Sequence, residues 1–597
     1  MDSGKSVLRW LTIGLLVFFA MQFGPRLFGK GGSSATLQPL RAEGTEQRET
    51  RQPEQLCSLW TESFRADLSS RGASLKHFAL LAAKYRRHGA PIDLSTTPDV
   101  ELRRQLRVNL RNEAVANPRD PSWQLDYDTV DWNVIESNAH RCVFEYTDEK
   151  AHLTKTVSTT SHPYELALAL KIENRSSSAL RHALTVDTTT WRLQSDVKGG
   201  MFRVSPLLTH VECVPQDGSK TTRLRPEDFE PDDFKAPAFT ASALNPGDFF
   251  QVAGVVGVAA VSNAYFTDAL VPTMTPKGVT PVCQLQIEER WDAGRYKAVS
   301  DDPHAGAMYR ARIAYSPVTL EPQQSTEYNL LSYIGPKERK VLATAGNGTT
   351  RLGELIDLGF FSAIAKVLVG FLLAVHSVLP NWGIAIIVLT LTARLILFPL
   401  TLPSIKSMVK MRELKPEMDA LNEKFKDDPQ GKGLAQMELW RKHKVNPLKG
   451  CLPQLASMPV WFALYTTLQT AVELFNIPFL WFPDLSQPDP YFILPFVIGA
   501  TSFIQQRMMP AQGDPTQQKM MLYMMPGMFV VFMLFLPSGL GVYMFTNGLL
   551  GILQQQLVER HARRATVATT GLNVTTKANG TEGGTSKRSS SAKGKAR

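Results

Sequence analysis

Residues 384–402 read IAIIVLTLTARLILFPLTL, an apolar run of membrane-spanning length with Arg394 set inside it. A stretch this long and this apolar reads as a transmembrane helix, and that reading divides the chain. Residues from about 358 to 557 are mostly apolar, whereas residues 31 to about 350 are polar, rich in short alternating segments, and hold no run long enough to cross a bilayer. At 597 residues the chain exceeds what one core supports, so it is two structures joined end to end. A guanidinium at membrane depth costs about 2.5 to 3.5 kcal/mol on insertion scales, so Arg394 demands a functional explanation.

The net charge of +10 lies largely in segments flanking apolar runs, which is the pattern of membrane topology signals and not of a nucleic-acid surface. Five widely spaced cysteines (57, 142, 213, 283 and 451) include no C-x-x-C pair, so neither a zinc site nor a dense disulfide scaffold is indicated. A disulfide among the first four stays open.

Residues 1–28, with Lys5 and Arg9 before WLTIGLLVFFAMQF, read as an uncleaved signal-anchor helix. Residues 29–55 have the composition of a flexible linker. From 56 to 345, segments such as YELALALKI (164–172) and QVAGVVGVAAV (251–261) lie between turn-forming clusters, the pattern of a β-sandwich.

Residues 404–450 carry eleven Lys or Arg against seven Asp or Glu, while 472–490 carry no Lys or Arg, so the positive-inside rule puts the first segment in the cytoplasm and the second outside. With the β-domain exported after an N-in anchor, one span fits between it and that cytoplasmic segment. Residues 351–380 are therefore predicted as an interfacial amphipathic helix, with Lys366 and His376 facing water, and a full transmembrane helix over 360–379 is the competing reading. The core, 381–557, is predicted to span at about 381–402, 448–471, 491–509, 518–536 and 538–557, with a cytoplasmic helical hairpin at 404–446 that carries Lys406, Lys410, Arg412 and Lys415. Residues 558–597 read as a basic disordered cytoplasmic tail. Six transmembrane helices result, five of them forming the core, with both termini cytoplasmic and about 29–350 outside.

None of the five core spans contains Asp or Glu, and Glu473 lies toward the opposite face. Arg394 therefore has no evident counter-ion, and Thr390, Gln506 or backbone carbonyls are its expected partners. The residue pattern shows no metal-ligand spacing, no acid pair and no nucleophile–base pair within a span, so no enzyme activity and no cofactor are predicted. Nor is there an inverted repeat or a run of intramembrane acids of the kind a transporter uses. Nine of nineteen methionines fall between 508 and 544, a flexible apolar lining suited to varied ligands. A hydrated groove that eases polar segments through part of the bilayer remains.

LIDLGFFSAIAK (355–366), NWGIAIIVLTLTARLILFPLT (381–401), KMRELKPEM (410–418), VNPLKGCLPQLASMPVWFALY (445–465), LSQPDPYFILP (485–495), DPTQQKMM (514–521) and LPSGLGVYMFTNGLLGILQQQL (536–557) together resemble the YidC membrane protein insertases, relatives of the mitochondrial Oxa and chloroplast Alb insertases. FRADLSSRGASLKHF (64–78), SNAYFTDALVP (262–272) and YNLLSYIGPKE (328–338) resemble the family's periplasmic domain. The resemblance implies an inner-membrane insertase and chaperone with a large periplasmic all-β supersandwich. Its groove would contain Arg394 with Thr390, and Tyr543 on the last span, with Met544 where some members carry a second tyrosine. Implied partners are nascent inner-membrane proteins and the Sec translocon. The ribosome, through the basic tail and hairpin, and membrane lipids are further expected partners. The competing reading is an envelope carbohydrate-active or carbohydrate-binding protein anchored by its membrane half.

Overall fold

The computed structural model describes residues 38–39, 53–87, 89–97, 104–111, 124–125, 130–194, 207–229, 249–291, 305–425, 428–443, 460, 462–508 and 515–578. The predicted N-terminal span, most of the linker, the first part of the 448–471 span and residues 579–597 lie outside the described residues.

Alternating sequence builds the β half. Glu165–Asn174 reads ELALALKIEN, and Leu166, Leu168, Leu170 and Ile172 are all buried. It sits inside a nine-stranded antiparallel sheet ordered Thr222–Leu224, His210–Pro215, Val256–Ser262, Phe266–Met274, Ser325–Pro336, Glu165–Asn174, Ala151–Thr159, Arg141–Thr147 and Asn133–Ser137. A second sheet is built on Pro281–Trp291, Gly306–Tyr315, Leu180–Leu193 and Val108–Arg111, and its Leu184, Val186, Leu285 and Ile313 share one core with the first. Each fully buried leucine or valine contributes about 1.5 to 3 kcal/mol.

The predicted segment 251–261 is in fact two strands. Phe250–Val252 pairs in the second sheet and Val256–Ser262 in the first, because Gly254 bends the chain between them at φ +93°. Gln38–Pro39, within the predicted linker, pairs parallel to Arg290 and Trp291. Two disulfides close the domain. Cys57–Cys142 ties a small three-stranded sheet to the nine-stranded one, and Cys213–Cys283 crosses between the two large sheets.

On the outer face of the second sheet, Asp187 and Arg312 stand directly opposite on neighbouring strands and pair at 2.5 and 2.8 Å, with Phe249 4.0 Å from the guanidinium. Burial alone would raise the Asp187 carboxyl. Arg312, Arg310 and Arg107 reverse that and bring it down to about 2.

The β half passes into the apolar half through α1 (Arg339–Thr344), whose Leu342 joins the β core. The segment after the 462–470 helix enters the same end of the domain. Val472 belongs to the β core, and Phe475 lies 5.5 to 6.1 Å from the rings of Tyr85, Tyr265 and Phe266. Glu473 pairs with Arg339 at 2.7 Å, and Asn476 donates to the carbonyls of Lys84 and Arg86.

Among the described residues α1 is followed by α2 (Ser362–Val378), α3 (Trp382–Glu413), α4 (Lys415–Lys424), α5 (Pro429–Lys442), α6 (Ile493–Met508), α7 (Pro515–Met533) and α8 (Ser538–Ala578), with the 462–470 helix between α5 and α6. One face of α2, Ala365, Val369 and Leu372, is buried, and Lys366 is exposed. His376 does not point freely into water as expected, because its ring stacks on Trp382 at 3.9 Å. A core of Leu372, Ile386, Leu389, Leu464, Leu468, Leu494, Ile498, Leu540 and Tyr543 joins α2, α3, α6, α8 and the 462–470 helix. Among the described residues, Trp382–Pro399 is the helical window long and apolar enough to cross a membrane, and Ser362–Val378 and Met521–Met533 are shorter apolar helices.

Two predicted boundaries dissolve. Helix α3 continues past the expected span end at 402, through Pro399 and Pro403, to Glu413. Lys406, Lys410 and Arg412 therefore extend α3 instead of belonging to a separate hairpin, and Lys415 begins α4. Helix α8 likewise continues to Ala578 through residues expected to be disordered. An existing helix extends without a new nucleation cost, and Glu559 on its extension pairs with Arg412 at 2.6 Å.

Candidate functional site: a guanidinium held by neutral acceptors

Arg394 lies twelve residues beyond Trp382 and twelve before Lys406 on α3, roughly 18 Å along the helix from either. It is half-buried and faces α8. Its Nε donates to Asn547 Oδ1 at 2.6 Å, Nη2 to the Asn547 main-chain oxygen at 2.8 Å, and Nη1 to Gln554 Oε1 at 3.4 Å. All three acceptors are uncharged. The remaining guanidinium N–H donors find no partner among the described residues. Glu473, the carboxylate nearest in sequence pattern, is committed to Arg339.

Glycine makes room for this contact. Asn547, Gly551 and Gln554 stand at i, i+4 and i+7, one face of α8. A Cβ on Gly551 would meet Gln505 Nε2 at 2.9 Å and Arg394 Nη2 at 3.1 Å. On α6, Gln505 donates to the Gly548 carbonyl at 2.8 Å, and Gln554 Nε2 donates to Thr401 Oγ1 at 3.0 Å. A polar seam of Gln505, Asn547, Gln554, Thr401 and Arg394 thus joins α6, α8 and α3 inside an otherwise apolar bundle.

The expected neighbours fare unevenly. Thr390 is buried and turns back to its own helix, donating to Ile386 O at 2.7 Å and not meeting Arg394. Gln506 is half-buried on α6, while its neighbour Gln505 reaches the seam, because one residue rotates the side chain by about 100° around a helix. Tyr543 is buried one turn before Asn547, and Met544 is half-buried against the core. The missed residues carried a signal in TNGLLGILQQQ (546–556), where polar and small residues recur at helical spacing inside an apolar span. Of the hairpin residues, Lys410 and Lys415 are exposed and Arg412 is paired with Glu559. Among the described residues no cluster of His, Cys, Asp and Glu could hold a metal ion.

The family model described as the YidC periplasmic domain matches residues 57–371, and that described as 60Kd inner membrane protein matches 374–565. Membrane protein insertase YidC of Anaeromyxobacter dehalogenans strain 2CP-1 is 34% identical over 532 residues, 86% of each chain. The same-named protein of Citrifermentans bemidjiense is 32% identical over 506 residues, 84% of each chain. Among solved structures, an active YidC insertase with its first transmembrane domain resolved matches at 16% identity and a TM-score of 0.35, covering 92% of this chain and 99% of that one. A putative aldose 1-epimerase from Escherichia coli K12 matches at 11% identity and a TM-score of 0.26, covering 48% of this chain and all of that one. The family and its relatives give no support to the reading of the chain as an anchored carbohydrate-active protein.

Proposed function

Because the chain belongs to the YidC family of membrane protein insertases, it inserts inner-membrane proteins from an inner-membrane location, and we propose that the Arg394 seam is where it receives them. A hydrophilic exported segment enters from the cytoplasm and is held transiently at Arg394, while its apolar segment moves past Tyr543 and Met544 into lipid. Burial of apolar surface drives the step. For acidic segments the membrane potential adds about 2.3 kcal/mol per charge per 100 mV. The work is transfer between phases, so the protein acts as insertase and folding chaperone and not as an enzyme, with no cofactor.

The proposed frame has six spans, the five of the core and an N-terminal anchor, with both termini cytoplasmic. The β-domain, a supersandwich over 56–345, lies in the periplasm, and 351–380 rests in the outer interface. The two disulfides support an oxidising location for the β half. The Sec translocon is the proposed partner at the membrane. The exposed lysines of the hairpin region and the basic tail are the proposed ribosome contacts.

One observation carries the site assignment: a guanidinium at mid-helix whose protein partners are all neutral. The test is reconstitution of the pure protein in liposomes with single-spanning substrates that differ only in an acidic or neutral exported tail. Arg394→Ala lowers insertion of the acidic-tailed substrate at least tenfold and the neutral one far less, while Arg394→Lys stays within about threefold of wild type, since charge outweighs fork geometry. Equal insertion by wild type and Arg394→Ala with both substrates refutes the role.

A further inference from the structure

The edge of Arg394 formed by Nε and Nη2 is the edge with which arginine grips a carboxylate through two parallel hydrogen bonds. Here that edge is filled by two oxygens of a single residue, Asn547 Oδ1 at 2.6 Å and Asn547 main-chain O at 2.8 Å. We infer that Asn547 is the resting occupant of the Arg394 site, a neutral stand-in for a substrate carboxylate, and that its lack of charge sets the preference for acidic exported segments. The inference rests on Arg394 being the receiving group.

Three features support exchange at this position over permanent closure. The acceptor is an amide, so an arriving carboxylate replaces a neutral partner with a charged one, and the exchange favours the incoming chain. The third contact, to Gln554, is long at 3.4 Å, and the other N–H donors are unoccupied among the described residues. Gln554 also donates to Thr401, and Gln505 donates to the Gly548 carbonyl, so the seam stays bonded when Asn547 Oδ1 lets go. When the carboxylate moves on, Asn547 returns and the guanidinium is never left bare in an apolar bundle.

Aspartate has the shape of asparagine and carries the charge. Asn547→Asp therefore installs a permanent counter-ion on the same edge and removes the advantage of an acidic substrate. Asn547 acts through Arg394 as a positioning residue, so the readout is a ratio that a purely structural defect leaves alone.

The experiment uses purified full-length wild type, Asn547→Asp, Asn547→Ala and Arg394→Ala in liposomes, with the acidic-tailed and neutral-tailed substrates. The acidic-to-neutral insertion ratio falls at least fivefold in Asn547→Asp and stays within twofold of wild type in Asn547→Ala. A ratio within twofold of wild type in Asn547→Asp, or an equal fall in both Asn547 variants, overturns the inference. Arg394→Ala separates the two failures. If it leaves the ratio unchanged, the assignment of Arg394 itself fails. If it lowers the ratio while Asn547→Asp does not, Arg394 stands and the role of Asn547 is overturned.

Discussion

A charge inside an apolar helix is legible in one dimension, and its partner is not. The run at 384–402 exposed Arg394, and the lack of carboxylates in the core spans excluded an ion pair, but Asn547 lies 153 residues away. Only helix packing brings the two together. In the proposed receiving role the neutrality of that partner has consequences, since a carboxylate about 4 Å from the guanidinium would attract it by about 4 kcal/mol at an effective dielectric of 20, a bond an incoming chain would have to break. The glycine opposite is as specific as the arginine. Gly551→Leu drives Cβ into Gln505 and Arg394 and lowers insertion at least tenfold in the liposome assay. Gly527→Leu on α7, where a Cβ meets nothing within 4 Å, stays within twofold.

At the scale of elements, pattern predicted existence better than extent. The alternation of 164–172 gave a strand of the nine-stranded sheet, yet 251–261 split between two sheets because a glycine at positive φ ended one strand and freed the next. Helices α3 and α8 outran their predicted ends because composition marks where lipid stops, and hydrogen-bonded propagation does not have to stop there. Strand pairing also sets a pH response. Asp187, at about 2 against an ordinary 3.8, lies below its unfolded value, so its contribution is present above about pH 4 and is lost as pH falls through about 2. The loss is about 2 kcal/mol. Thermal unfolding of the full-length protein in detergent between pH 4 and pH 2 therefore falls more steeply in wild type than in Asp187→Asn. Parallel slopes would disconnect this pair from the acid response.

For the whole molecule, the decisive contact joins the two halves. Phe475, from the segment after the 462–470 helix, sits among Tyr85, Tyr265 and Phe266, and Glu473 pairs with Arg339 where the β chain enters α1. Glu473→Gln removes the charge that balances the largely buried Arg339, at a cost of about 3 kcal/mol. With Phe475→Ala added, hydrogen exchange across residues 339–361 accelerates at least tenfold, while exchange in the central strands Glu165–Asn174 and Ser325–Pro336 stays slow. Unchanged exchange at 339–361 would show that the halves are held together elsewhere. The sequence by itself determined the two-part plan, the β class of the first half, the apolar core and the arginine set inside an apolar run, because periodicity, apolar length and charge count are properties of the chain as a line. The tertiary structure alone decided which cysteines pair, which amide meets Arg394 and how the halves lock, because each depends on side chains from distant segments converging within a few ångströms, where no local pattern records the partner.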